Sequence, residues 1–473
     1  MDVKLKRISE NVWEIPREDG MLVPGRVFAS DNLMNNIEKD KSLEQVKNVS
    51  YLKGIKRYSI AMPDAHQGYG FSIGGVAAFD LNEGIISPGG VGYDINCGVR
   101  VLSSSIKVDD FLKKRTEVLN ALYKNIPSGV GGKAKIRLNK EILKEVCETG
   151  VDWCIKNNYA TKEDKDRTEE YGNMKDADFN EVTSRAIERG MPQLGSLGSG
   201  NHFLEIQKVD EIFDKKIAEV FGVDENNILI MIHCGSRGFG HQIASDYIKM
   251  MEEKFGFEDL PDRELICAPF NSELGQKYYR AMCCAVNYAF CNRQMITYWI
   301  RETLKQFFPN AELNLIYDVA HNIAKIEEHV IDGKKEKVCI HRKGATRAFG
   351  PGRKDIPEVY RKYGQPILIP GSMGTYSYIL VGSKKAEEIS FASTCHGAGR
   401  VMSRHGALKE FRGEQVKNDL ADKNIEVKAG SWKGLAEEAP GVYKDINEVV
   451  RVSHELGIGN LVVKLKPLGV IKG

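Results

Sequence analysis

No apolar run in this chain reaches the roughly 18 residues of a membrane-spanning helix, so a membrane protein is not expected. Met1 to Arg7 is charged and lacks the apolar core of a secretory leader. The ten cysteines include no C-x-x-C pair. That argues against a zinc ribbon or disulfide framework and for reduced thiols in a cytoplasmic protein. Net charge is only +2, so any polyanion site must come from a local cluster of Lys and Arg. Three nucleotide signatures are also missing. There is no G-x-x-x-x-G-K-[ST] phosphate loop, no dinucleotide-spaced glycine triplet and no Lys-x-Asp-Gly of a lysine-based nucleotidyl transferase.

What remains is ordinary for a soluble globular chain: 473 residues, 42% hydrophobic and 28% charged. Periodicity predicts helices over 109–125, 139–158, 242–255, 444–456 and, as one long element or two, about 272–308. Cys283, Cys284 and Cys291 fill the apolar face of that long helix. Strands are expected at 227–233, 312–319, 335–341, 366–369, 376–382 and 460–466. The charge-dense stretch 162–181 reads as a surface loop or irregular helix. This is mixed α+β without regular βαβ alternation. With no Pro- or Ser-rich linker and no internal repeat, residues 1–473 are expected to form one large intertwined domain with a central cleft, acting as a monomer.

Several polar segments share one style, a short apolar lead followed by a polar residue among glycines. They are MPDAHQGYG (62–70), GYDINCGVR (92–100), GSLGSGNHFLE (195–205), HCGSRG (233–238), DVAHN (318–322) and STCHGAGR (393–400). Glycine lets a backbone approach a ligand closely, so this density suggests cradling of something bulky and anionic. Asp94, Cys97, His202, His233 and His321 together supply one carboxylate, one thiolate and three imidazoles, a plausible metal set. Softness alone nominates zinc; manganese and iron are also admitted by carboxylate and imidazole ligands. Each histidine could equally cap a strand or bond a carbonyl.

His396 is set apart by its small neighbours Gly397, Ala398 and Gly399, which leave room beside the ring. A neutral imidazole nitrogen can attack phosphorus, so His396 is a candidate nucleophile; it could equally sit in a helix-start turn. Cations embedded in HRKGATRA (341–348) and in Gly352-Arg353-Lys354, with Arg185, Arg189 and Arg237, are placed to contact phosphates.

Taken in order, from DAHQGYG through GYDINCGVR, GSGNHFLE, HCGSRG, DVAHN, HRKGATRA and PGSMGTYSY to CHGAGR and the lysine near the C-terminus, these motifs resemble the RtcB family of RNA-splicing ligases. The resemblance implies a family-specific fold and a Mn2+- and GTP-dependent joining of RNA 2′,3′-cyclic phosphate or 3′-phosphate ends to 5′-hydroxyl ends. It implies that His396 carries GMP, and that two manganese ions are held by Asp94, Cys97, His202, His233 and His321, with Cys97 bridging. It places the nucleotide against Asn201, His202, Phe203, Leu204, Glu205, His321, Asn322, Pro370, Gly371, Ser372, Met373, Ser377, Tyr443, Gly397, Ala398, Gly399 and Lys472. Glu205 would read the guanine donor edge. Arg189, Arg237 and Lys343 would contact RNA or triphosphate, with Asp64 and His66 in support. RNA, and the helper protein archease, are the implied partners. A metal-dependent phosphoesterase and a non-catalytic RNA-end-binding protein are the competing readings.

Overall fold

Every position of Ile228–Ile232 is apolar, and in the computed structural model, which describes residues 3–129 and 134–473, this run forms the middle of the strand Asn227–Cys234. Ile228, Ile230 and Ile232 pack with Leu204, Ile206, Ile296 and Ile300 on one face. Leu229 and Met231 join Val99, Val101, Ile379 and Val463 on the other. Both faces are covered, which is why the run shows no alternation.

That strand belongs to an eight-stranded sheet. Its order is Leu313–Ala320, Gly98–Lys107, Asn227–Cys234, Phe203–Ile212, Asn460–Lys472, Ser377–Val381 and Pro366–Ile369, with Glu426–Ala429 also pairing on Asn460–Lys472. A seven-stranded sheet takes Lys6–Ser9, Val12–Ile15, Gly25–Phe28, Ile55–His66, Ile73–Asp80, Lys334–Lys343 and Asn322–Ile331. The sheets interleave in sequence, and the chain passes from one to the other through His321. A two-stranded ladder, Ala345–Arg347 with Ser393–Cys395, lies between Lys343 and His396 in the chain path. The result is a mixed α and β fold, as expected.

Helix Glu273–Leu304 is one continuous, largely buried element, and Cys283, Cys284 and Cys291 are fully buried in it. The expected helix 109–125 breaks at Lys114 into Val108–Lys113 and Arg115–Asn125. The expected 139–158 helix breaks at Gly150, whose φ of 57° ends Lys140–Thr149 before Val151–Lys156 begins. The last strand runs on to Lys472, through bulges at Lys464/Leu465 and Pro467/Gly469 that interrupt its apolar pattern.

The segment 162–181 is irregular helix, with short elements at Lys162–Asp166, Glu169–Gly172 and Phe179–Glu181, and most of it is exposed or half-buried, but two of its carboxylates are not on the surface. Asp164 and Glu169 are each 1% exposed. Asp164 receives both Nη atoms of Arg301 at 2.6 and 2.7 Å, and Glu169 pairs with buried Lys325. For these two, charge density misled because the partner cations lie more than a hundred residues away in sequence. No helix among the described residues is long and apolar enough to cross a membrane.

Candidate functional site

Antiparallel pairing aligns strand ends from distant parts of the chain at one edge of the eight-stranded sheet. Ala320 lies opposite Gly98, Gly98 opposite Cys234, His233 opposite Phe203, and Phe203 opposite Lys472. Neighbouring strands are about 4.8 Å apart. His321, Cys97, His233, His202 and Lys472 therefore form a row at this edge.

Two donor groups emerge there, Cys97–His233–His321 and Asp94–Cys97–His202, each with ligand atoms within 4.8 Å of one another. Cys97 is common to both. Its Sγ is 3.4 Å from His202 Nε2 and 3.3 Å from His233 Nε2. His233 Nε2 and His321 Nε2 converge at 3.3 Å, and His202 Nε2 is 2.8 Å from Asp94 Oδ2. Asp94 and Cys97 close a turn in which the Cys97 N–H donates to the Asp94 carbonyl at 2.9 Å.

This donor set fits divalent cations. Burial, reinforced by neighbouring positive groups, holds His233 and His321 well below the ordinary imidazole pKa, so their lone pairs are available. His202 Nδ1 lies 3.1 Å from the Leu197 carbonyl; burial opposes its charged form, but the neighbouring Cys234, Cys97 and Asp94 groups outweigh burial and raise its pKa well above the ordinary imidazole value, so a cation at Nε2 would have to displace a proton. Burial pushes the Cys97 thiol up to about 11. A bound cation reverses that preference by favouring the thiolate.

Beside this row stands His396, immediately after the strand Ser393–Cys395; its ring meets that of His321 edge-on at 4.9 Å between centroids. Its partner is Asp64, fully buried on the strand Ile55–His66. Oδ2 of Asp64 accepts three N–H groups: His396 Nδ1 at 2.5 Å, the His396 amide at 2.9 Å and the Gly397 amide at 3.2 Å. Burial raises the Asp64 carboxyl pKa, but the adjoining His396 and Lys444 outweigh it and hold the group below its usual range. The contact fixes the orientation of the imidazole, with Nδ1 against Asp64 and Nε2 on the far side of the ring. Asp64, which sequence reasoning left in a general supporting role, is thus the residue that orients His396. His66 turns Nδ1 to the Asp64 carbonyl at 3.0 Å, and burial pushes it down to about 4, so it is neutral.

A cavity of 380 Å³ opens in front of these groups. Asp94, Cys97, His233, His321 and His396 line it, as do His66, Asn201, Phe203, Asn322, Lys343, Pro370 to Met373, Gly397 to Gly399, Tyr443 and Lys472. The small residues after His396 have distinct reasons. A side chain on Gly397 would first meet the Pro370 carbonyl at 3.4 Å, so space is left there. Gly399, at φ +74°, lies so close to Asp64 that a Cβ would stand 2.1 Å from its carbonyl oxygen.

Other expected site residues stand behind this surface. Glu205 is fully buried with Oε1 unpartnered and Oε2 accepting from Gln207 at 2.7 Å, and burial pushes its carboxyl up to about 8. Ser377 is buried and accepts the Gly371 amide at 3.0 Å, holding the 370–373 turn. Leu204 is buried in the core. Asn322 lines the cavity but also braces the Asp94–Cys97 turn, donating to the Asp94 carbonyl at 3.1 Å.

The basic residues are mostly committed elsewhere. Arg342 forms a buried fork with Glu327 at 2.7 and 2.8 Å, and Arg347 pairs with Glu170 at 2.5 Å. For these two the expectation of phosphate contact is corrected: their charges are spent inside the protein. Lys343 donates to the Tyr69 and Phe71 carbonyls at 2.5 and 2.9 Å, and burial lowers it to about 7. Arg237 lies 3.0 Å from His202 Nδ1, and Arg189 donates to Gln242 at 2.9 Å; neither lines the cavity. Sequence reasoning missed Arg404 and Glu438, which do. Glu438 is 1% exposed and receives Arg400 at 3.2 Å, Arg404 at 3.3 Å and the Tyr443 hydroxyl. No motif marks it.

The family described as "tRNA-splicing ligase RtcB" matches residues 45–473. The chain is 52% identical to a protein of that name from Thermococcus kodakarensis, over all of this chain and 99% of the other. It is 51% identical to namesakes from Archaeoglobus fulgidus and Methanococcus maripaludis, each aligned over the full length of both chains. With sequence match and full-length coverage in agreement, the chain belongs to the RtcB family.

Proposed function

We propose that this protein is a GTP- and Mn2+-dependent RNA ligase that joins 2′,3′-cyclic phosphate or 3′-phosphate ends to 5′-hydroxyl ends, as in tRNA splicing and RNA repair. The observation that carries the reading is the Asp64–His396 pair beside a cavity lined by His396 and by Asp94, Cys97, His233 and His321, four members of two metal-competent donor groups that share one thiol. His396 Nε2 attacks the α-phosphorus of GTP, forming an N–P bond as the bond to pyrophosphate breaks. The ring becomes cationic, and Asp64, already holding Nδ1–H, balances that charge. A cyclic phosphate end is first opened by water to a 3′-phosphate. A 3′-phosphate oxygen then displaces His396 from the guanylate, and the 5′-hydroxyl attacks the activated phosphorus and expels GMP. Asp94, Cys97, His202, His233 and His321 would hold two manganese ions, which supply charge neutralisation at the phosphates. Donor softness would favour zinc; the family resemblance favours manganese. Gly371 and Gly397 to Gly399 would offer backbone to the nucleotide, with Lys472 and Tyr443 beside it.

Asp64→Asn tests the orientation of the nucleophile. It preserves size but withdraws the anion, and about a 10²- to 10⁴-fold fall in the rate of covalent GMP formation is expected. Manganese affinity should stay as in wild type, because Asp64 is in neither donor group. A wild-type guanylylation rate in Asp64→Asn would refute the assignment.

Glu205 tests base selection. It stands behind the cavity wall with one carboxyl oxygen unpartnered, and the family resemblance assigns it the guanine donor edge. Glu205→Ala is expected to lower the GTP-over-ATP preference in adduct formation by about 10-fold or more. An unchanged preference would remove Glu205 from base reading. A phosphoesterase using the same metals would need no covalent nucleotide, and the Asp64-held imidazole favours the ligase.

A further inference from the structure

Helix Glu273–Leu304 is apolar through much of its buried length, yet its middle carries Asn292 and Arg293, both fully buried. Side-chain packing alone does not call for a guanidinium there. All five N–H donors of Arg293 are engaged. Nη1 donates to the carbonyls of Asn96 at 2.9 Å and Cys234 at 2.7 Å. Nη2 donates to Asn96 Oδ1 at 3.0 Å and Asp318 Oδ1 at 2.7 Å, and Nε to Asp318 Oδ2 at 3.0 Å. Asn96 precedes Cys97, Cys234 follows His233, and Asp318 stands three residues before His321. One side chain thus ties together three segments that each carry a metal-competent residue. The guanidinium also lies against Gly98, where a Cβ would stand 3.1 Å from Nη1 and 2.1 Å from the Val319 carbonyl.

Asn292 holds the fourth segment. Its Oδ1 accepts the amides of Gly195 at 2.6 Å and Ser196 at 3.1 Å, while Nδ2 donates to the carbonyls of Ser196 and Gly235, both at 3.1 Å. The next residue, Leu197, presents its carbonyl to His202 Nδ1.

We infer that Asn292 and Arg293 are positioning residues that assemble the metal-ligand segments on the central helix and thereby set the affinity of the site for divalent ions. Neither belongs to a donor group. Their effect is exerted through the backbone, as partners that orient ligands from behind. The inference rests on the metal reading above, and its test separates the two.

The test uses full-length Arg293→Lys, which keeps the charge but loses the fork, and Asn292→Ser, which changes no charge. Variants are checked for folding by circular dichroism, then titrated with Mn2+ by calorimetry. Amide hydrogen exchange is followed at Cys97 and His321. Each folded variant is expected to bind Mn2+ 10- to 100-fold more weakly. Exchange should rise at Cys97 and His321, but not at His396, which is held separately by Asp64. Lost guanylylation should be recovered at high Mn2+. Folded variants with wild-type affinity and exchange would overturn the inference. If Arg293→Lys does not fold, Asn292→Ser decides. If wild-type protein takes up no Mn2+, the metal reading fails by itself, and unchanged exchange in the variants would overturn the positioning claim.

Discussion

His396→Ala is expected to abolish the covalent GMP adduct formed with labelled GTP and Mn2+, a loss of about 10⁴-fold or more in the rate of guanylylation. The wild-type adduct should be labile to acid and stable to alkali after denaturation, as a nitrogen–phosphorus bond requires. The effect should be specific to the nucleophile. His396 is outside both donor groups, so Mn2+ stoichiometry should be kept. The fold should also survive, since the His396 side chain is 14% exposed and packs at a cavity wall. An adduct that persists in His396→Ala, or maps elsewhere in the wild type, would move the nucleophile to another lining residue.

Cys97→Ala is expected to weaken binding of both metal ions together, by about 100-fold or more, and to stop guanylylation. The reason is topological: Cys97 is the one residue shared by the two donor groups. His321→Ala and Asp94→Ala each remove a ligand from one group and should affect mainly one ion. Calorimetric stoichiometry distinguishes these patterns, and an ion retained at wild-type affinity in Cys97→Ala would end the bridging role. The thiol adds a pH signature. Burial places its pKa at about 11, so metal binding near neutrality must expel its proton. Affinity should therefore rise with pH, and this thiol-linked part of the dependence should vanish in Cys97→Ala.

The residues that the structure gathers at the donor groups and beside His396 were legible because each sits in a short polar island beside a glycine or a strand end. Such islands stand out from core patterning, and five of them yielded the donors and His396. The long helix was legible from its period, and the strand at 227–234 from its apolar run. Boundaries failed where one residue overrides periodicity, as at Lys114 and Gly150. The strands Ile55–His66, Ile73–Asp80 and Phe203–Ile212 carried no expectation, because glycine, proline or charge interrupts their alternation.

Residue type and local spacing, read from the sequence alone, determined which side chains could ligate a metal or attack phosphorus, and that no Walker or Rossmann loop takes part. Only the tertiary structure decided that Cys97 serves two donor groups, that Asp64 grips His396, and that Arg342 and Arg347 are neutralised inside the protein. It also placed Asn292 and Arg293 behind the segments that carry the two donor groups. The physical reason is the same in each case. A charge or donor is defined by its partner, and antiparallel register and buried ion pairing bring together partners that lie tens to hundreds of residues apart. Local pattern carries no record of that distance.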